Sequence, residues 1–342
     1  MFLKHLIYYY FIIVTTLSYL CYAQQHNITK DRPIMHSKLT QPPHLKIGDS
    51  VVIVAPSGIL NHKEKEINQA KVMLESWGLK VRIGKHVYKK NNHFAGSDSQ
   101  RIEDFQKALD NPNIAAIWCA RGGYGTVRIL DNLDYTAFKK RPKWMIGYSD
   151  ITGLHSQMHN EGIETIHAMM CASMTDNVKT IAHTIDTFKK ALFGEPLAYT
   201  VKGNSHNKTG HATGQLVGGN LTLLHSMLGS NTSINTADKI LFIEEIGEYK
   251  YHIDRMLQSL KRAGYFDNCK GLIVGNMSKI RKNTTAWGSS IEQLILDVLE
   301  ECDFPVLFEF PAGHEKDNRA LILGRTITMD VEKAKGIVTF EK

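Results

Sequence analysis

The chain lacks most of the short signatures that announce a chemistry. Its 342 residues hold five cysteines, at 21, 119, 171, 269 and 302, and no CxxC pair, so zinc-ribbon and dithiol chemistry have no footing. There is no HExxH and the histidines are scattered, so a metal site has little sequence support. Both the GxGxxG spacing and the P-loop lysine are missing, which leaves nucleotide binding weakly supported. The absence of GxSxG argues against a lipase-like hydrolase. A net charge of +7 hints at an acidic partner, but no dense Lys/Arg run and no aromatic-rich basic motif accompanies it, so no nucleic-acid partner is expected.

One long apolar run exists, and it is N-terminal. Lys4 precedes an apolar stretch from Leu6 to about Leu20, with Cys21 and Ala23 at positions −3 and −1 of a cut before Gln24. This is the shape of a secretory signal peptide, and the run is short for a membrane span of about 20 residues. The expectation is an exported, periplasmic protein with no stable membrane span once residues 1–23 are removed. Lipid anchoring through Cys21 is an alternative, although Leu20 is bulky where such sites have a small residue. Cys119 and Cys171 sit in apolar contexts and read as buried thiols, with the disulfide state of the four later cysteines left open.

What the chain does have is an ordinary globular composition, 43% hydrophobic and 22% charged, at a length suited to two domains or one large one. After a polar linker over 24–43, apolar runs alternate with helix-like segments. "SVVIVAP" reads as a strand buried on both faces, followed by a helix over 63–76, "KVRIG", a helix after Ser97 and the strand "IAAIWCA". Then come the glycine-rich "RGGYGT", a helical stretch through Leu130, the strand "WMIGY", a helix from Ser149 and the strand "ETIHA". This rhythm predicts an α/β fold with a mostly parallel sheet and helices on both faces. A polar crossover over 191–210 then separates a first domain, 44–190, from a smaller, strand-rich α/β domain, 211–342. In the second domain Ile253, Met256, Leu257 and Leu260 mark one amphipathic helix, and Ile291, Leu294, Ile295, Val298 and Leu299 another. The chain closes with strand-like "VLFEF", "ALILGRTITMDV" and "GIVTF".

Three places could carry chemistry. In "WMIGYSDITGLH", Ser149 or Asp150 is either a helix cap or the start of a sharp strand-to-helix turn. Gly147, two residues before the serine, permits such a turn, and the Asp150 amide would face developing negative charge at a helix N-terminus. In "CARGGYGT", Gly122 or Gly123 could donate an amide to an oxyanion and Arg121 could hold a carboxylate, the plain alternative being a tight turn. Glu244 and Glu245 end an apolar strand, and His314 follows Gly313 in a loop. A serine, an acid and a histidine, each at an element end, are the parts of a triad.

Taken together, "VVIVAPSG", "ARGGYGTVRILDNLD", "WMIGYSDITGLH", "GQLVGGNLTLL", "ILFIEEIGEYKYHIDRMLQSL" and "FPAGHEKDNRALILG" resemble, in order, the LD-carboxypeptidase family of serine peptidases. That family includes muramoyltetrapeptide carboxypeptidases and microcin C immunity peptidases. The resemblance implies a flavodoxin-like N-terminal domain, a smaller β-rich α/β C-terminal domain and a site in the cleft between them. It makes Ser149 the nucleophile, Glu244 the triad acid and His314 the base, with the amides of Asp150 and Gly123 as oxyanion donors. It further implies a homodimer, chemistry that requires no metal or organic cofactor, and a peptidoglycan stem tetrapeptide as substrate, with the terminal D-alanine removed. Arg121, His167 and Arg319 are candidates for contacting that substrate.

Two departures stand out. Relatives commonly work in the cytoplasm, whereas this chain carries a leader, so the cytoplasm is a second alternative for its location. Where relatives often have His-Gly-Pro, this chain has His167-Ala168-Met169, which alters a wall of the cleft. The rival readings are a peptidase of the same family cleaving acyl or peptidyl adenylates, and a non-catalytic binder of wall peptides.

Overall fold

A computed structural model describes residues 38–342. The expected leader, Cys21 and most of the expected linker lie outside the described residues. The first half contributes β1 (Ser50–Val54), α1 (Glu64–Ser76), β2 (Lys80–Ile83), α2 (Asp98–Asp110), β3 (Ala116–Cys119), α3 (Thr136–Lys140), β4 (Trp144–Gly147), α4 (Thr152–Asn160), β5 (Thr165–His167) and α5 (Ala182–Phe193). The second contributes β6 (Ala198–Lys202), β7 (Gly210–Asn220), α6 (Leu221–Ser226), β8 (Lys239–Ile246), α7 (Lys250–Arg262), β9 (Gly271–Ser278), α8 (Ile291–Val298), β10 (Val306–Leu307), β11 (Leu321–Leu323), β12 (Thr326–Val331) and β13 (Lys335–Phe340).

The first sheet runs β11-β5-β4-β3-β1-β2. Its five N-terminal strands are mutually parallel, in the 2-1-3-4-5 order of flavodoxin-like folds, whose ligands gather at the carboxyl ends of the strands. β1 and β3 are nearly or fully buried on both faces because helices cover them, as their unbroken apolar runs require. The second sheet runs β10-β9-β8-β7-β12-β13-β6, parallel from β10 to β7 and antiparallel beyond. One apolar cluster is continuous from Val51 and Trp118 of the first sheet to Phe242 and Ile327 of the second.

Local signals explain most elements. Ser97 caps α2 in a capping box with Gln100, and Ser290 caps α8 by accepting the Gln293 amide at 3.1 Å. Ile253, Met256, Leu257 and Leu260 all lie on the buried face of α7. Each such side chain is worth about 1.5–3 kcal/mol buried, against propensity differences of at most about 0.7 kcal/mol per residue, so packing rather than propensity holds the helix.

Several boundaries differ from the sequence expectation. The stretch through Leu130 forms two 3₁₀ turns, Thr126–Arg128 and Leu130–Asn132, rather than one helix. The polar crossover over 191–210 holds the end of α5 and a whole strand, β6, whose Tyr199 and Val201 point inward. "ALILGRTITMDV" is two strands in two sheets. Gly324, at φ +92°, turns the chain after β11, which pairs antiparallel with β5 of the first sheet, before β12 enters the second. Cys119, Cys171, Cys269 and Cys302 are free thiols, the first three buried. Among the described residues no helix is long and apolar enough to cross a membrane.

Candidate active site

Ser149 lies one residue beyond β4, after Tyr148, in a 3₁₀ turn (Ser149–Ile151) that leads into α4. Its hydroxyl caps neither the turn nor the helix. Instead the residue is held at φ +63°, a region where a non-glycine residue costs about 1–3 kcal/mol. Such strain at a strand-to-helix turn projects a side chain outward. Gly147 makes the turn feasible, because a methyl group there would lie 2.8 Å from Ile151 Cγ1.

The hydroxyl points at a histidine 165 residues further on. His314 Nε2 lies 3.0 Å from Ser149 Oγ, and its Nδ1 lies 2.6 Å from Glu244 Oε2. Glu244 is fully buried near the end of β8 and His314 is 12% exposed. With the carboxylate on Nδ1, that nitrogen carries the proton and Nε2 is left to accept from the serine. The adjacent acid does something else. Glu245 turns to the other face, where it accepts from the Thr222 amide and hydroxyl, each at 2.8 Å, and anchors the start of α6. Burial pushes its carboxyl up, partly offset by these bonds.

The glycine-rich loop after β3 closes the other side. A methyl group on Gly122 would come within 3.0 Å of Ser149 Cβ and 3.2 Å of its Oγ, so the backbone can approach the serine only as glycine. Gly123 follows at φ +104°, exposed to solvent. The amides of Gly123 and Asp150, the two expected donors, therefore belong to loops on either side of the hydroxyl.

His314 borders a cavity of about 520 Å³, lined also by Arg121, Tyr148, Met169, Met170 and Lys279. Arg121 reaches this wall while donating to the Ile59 carbonyl. Of the departing His167-Ala168-Met169 only Met169 forms part of the wall, with Met170 beside it. The other two substrate candidates, His167 and Arg319, do not line this cavity. His167 has no exposed surface, because it lies behind Tyr148 (rings 5.9 Å apart) and edge-on to Phe242 (5.0 Å). Burial, with the nearby His155 and His314, pushes its pKa well below the ordinary value, so it is neutral. Arg319 is absent from the cavity wall and is paired with Asp317 at 2.9 Å. Tyr148, missed from sequence, stacks edge-on against His314 at 5.0 Å; only its adjacency to Ser149 could have signalled it. Among the described residues no group of three His, Cys, Asp or Glu side chains is arranged to hold a metal ion.

Chemically, a strained serine hydrogen-bonded to a carboxylate-backed histidine, beside a glycine loop, is equipped for nucleophilic attack on a carbonyl. The site, set at the carboxyl ends of a mostly parallel sheet, is thus of the kind a hydrolase carries. The chain belongs to the LD-carboxypeptidase family: the family's N-terminal domain matches residues 51–168 and its C-terminal domain residues 213–329. It is accordingly a hydrolase of the carboxypeptidase class. It is 33% identical over 303 residues to a probable murein peptide carboxypeptidase of Bacillus subtilis, covering 87% of this chain and 94% of that one. It is 28% identical to a murein tetrapeptide carboxypeptidase of Pseudomonas aeruginosa, covering 83% and 94%. Among solved structures, the muramoyltetrapeptide carboxypeptidase of Oxalobacter formigenes superposes with a TM-score of 0.77 at 26% identity, covering 86% and 99%.

Proposed function

We propose that this protein is a serine LD-carboxypeptidase that removes the terminal D-alanine from peptidoglycan stem tetrapeptides. The observation that carries this reading is the unbroken series Glu244–His314–Ser149, at 2.6 and 3.0 Å. Ser149 Oγ attacks the carbonyl of the third residue while His314 Nε2 takes its proton. Glu244 holds the imidazole in its tautomer and stabilises the imidazolium. The tetrahedral oxyanion falls between the amides of Asp150 and Gly123, where each donor is worth about 10²–10³ in rate. His314 then protonates the leaving D-alanine nitrogen, and water, activated by the same ring, releases the acyl-enzyme. Arg121 pairs with the terminal carboxylate of the substrate in this reading, which its position on the cavity wall supports. The same reading makes the enzyme exported and homodimeric, the first from its leader and the second from the family resemblance alone.

The test is mass spectrometry of the purified protein incubated with a muropeptide tetrapeptide, beside Ser149→Ala. Loss of one D-alanine with the wild type alone is the expected result. A folded wild-type protein that releases none sinks the substrate assignment. Cleavage of an aminoacyl adenylate mimic instead would move the reading to the adenylate-cleaving branch, which would use the same three residues.

A further inference from the structure

The triad leaves one motif without a role, the "APSG" that follows β1. Its serine, Ser57, is completely buried and donates to Asp150 Oδ2 at 2.6 Å. That same carboxylate oxygen accepts the Thr126 amide at 2.9 Å, and the Thr126 hydroxyl donates to the Asp150 carbonyl at 2.7 Å. Gly58 donates its amide to the Gly122 carbonyl at 3.0 Å. Behind this layer Arg101, 1% exposed, donates to the carbonyls of Pro56 and Gly125, the latter at 2.8 Å. So the loop after β1, both ends of the glycine-rich loop and the turn bearing Ser149 are tied together by buried polar contacts.

The plain alternative is that Asp150 merely stabilises the first turn before α4, as acids at helix N-termini do. Two facts go beyond that. Its carboxylate is fully buried, at a cost of several kcal/mol unless compensated, and a helix-end acid gains its benefit without burial. Further, its partners Ser57 and Thr126 belong to other loops, not to the helix it begins. What these bonds fix is the spacing between the glycine-rich loop and the nucleophile. A misplacement of about 1 Å in such a spacing costs about 10² in rate.

We propose that the Asp150 carboxylate, acting through Ser57 and Thr126, is a positioning residue that holds the glycine-rich loop against Ser149. The proposal rests on Ser149 being the nucleophile, as in the reading above. Asparagine has the same size and can still accept from Thr126 while contacting Ser57, so it separates geometry from charge. The experiment compares Asp150→Ala, Asp150→Asn and Ser57→Ala in the full chain by thermal melting, kcat, KM, and the rate at which a fluorophosphonate labels Ser149. Labelling displaces fluoride through a pentacoordinate phosphorus transition state whose phosphoryl oxygen uses the same oxyanion donors, but it needs no peptide, so it tests this inference even if the tetrapeptide proves to be the wrong substrate.

For Asp150→Ala, kcat and the labelling rate are expected to fall together by about 10–10²-fold, with KM changed less than about threefold. Asp150→Asn should restore most of both. A cooperatively melting Asp150→Ala with kcat and labelling at wild-type values overturns the proposal. So does a loss that Asn fails to rescue while melting like the wild type, because charge rather than position would then be at work. Should Asp150→Ala not fold, Ser57→Ala, which deletes a single hydroxyl, decides. A fall of several-fold in kcat and labelling supports the clasp and unchanged rates refute it.

Discussion

The two sides of the reaction centre are built on different principles. On the serine side, Ser149, Asp150, the glycine-rich loop and the loop after β1 all emerge from carboxyl ends of strands in one sheet. They are tied to one another by short buried bonds such as Ser57 to Asp150 at 2.6 Å. On the base side, His314 stands on a loop between β10 and β11 and is fixed from three directions. Glu244 of β8 holds its ring at 2.6 Å, the amide of Asn276 in β9 donates to the Ala312 carbonyl at 2.9 Å, and Thr184 of α5 accepts the Asn318 amide at 2.8 Å. Two of those supports belong to the second sheet and one to a helix of the first half. The proposed nucleophile is thus set locally, whereas the proposed base is set by how the halves pack. Perturbations of the two sides should separate accordingly.

The largest effect is expected on the base side. Glu244→Gln keeps the shape but can present an amide N–H to His314 Nδ1, favouring the wrong tautomer, and the fall in kcat should be on the order of 10⁴. Steady-state kinetics with the tetrapeptide checks this. A residual rate within tenfold of wild type would mean that Glu244 does not orient the ring. Next comes the serine side. Gly122→Ala drives a methyl group to 3.2 Å from the Ser149 hydroxyl, so kcat should drop by about 10² with the melting temperature nearly unchanged. If the variant instead loses stability with normal kcat per folded molecule, the loop is less rigid than its buried bonds imply.

How much of this was legible beforehand follows from the kind of signal each feature leaves. The buried runs of β1 and β3 and the stripes of α7 and α8 are periodic, so the sequence exposes them. The three side chains proposed as a triad could be singled out only because six motifs occur in family order; singly, each is a residue at an element end. Side-chain direction left no such trace. His167 ends a strand and could face cavity or core, and it faces the core because Tyr148 and Phe242 fill the space around it. In β6 the alternation of Tyr199 and Val201 was hidden inside a polar stretch. Asp150, considered only for its amide, has a carboxylate whose partners lie 93 and 24 residues away, a relation that chain order does not display. The chain's jump between sheets at Gly324 hangs on one positive φ inside an apolar run.

The smallest effect sharpens the comparison furthest. Thr184 lines the cavity, accepts from the Asn318 amide and donates to the Lys316 carbonyl, both at 2.8 Å, and so holds the His314 loop from the opposite half. Thr184→Val keeps the shape and removes the hydroxyl, leaving a buried amide without its acceptor, a loss of about 1–3 kcal/mol. Part of that loss falls on the loop's alignment, so kcat should decline roughly three- to tenfold, since about 1.4 kcal/mol is tenfold in rate. Thr184→Ser, which keeps the hydroxyl and removes only a methyl group, should recover the wild-type kcat. If Val and Ser behave alike, the base loop does not depend on the other half for its position, and the contrast between a locally set nucleophile and a packing-set base fails. If Val lowers kcat and Ser does not, the base is aligned through a contact that neither the acid nor the nucleophile makes.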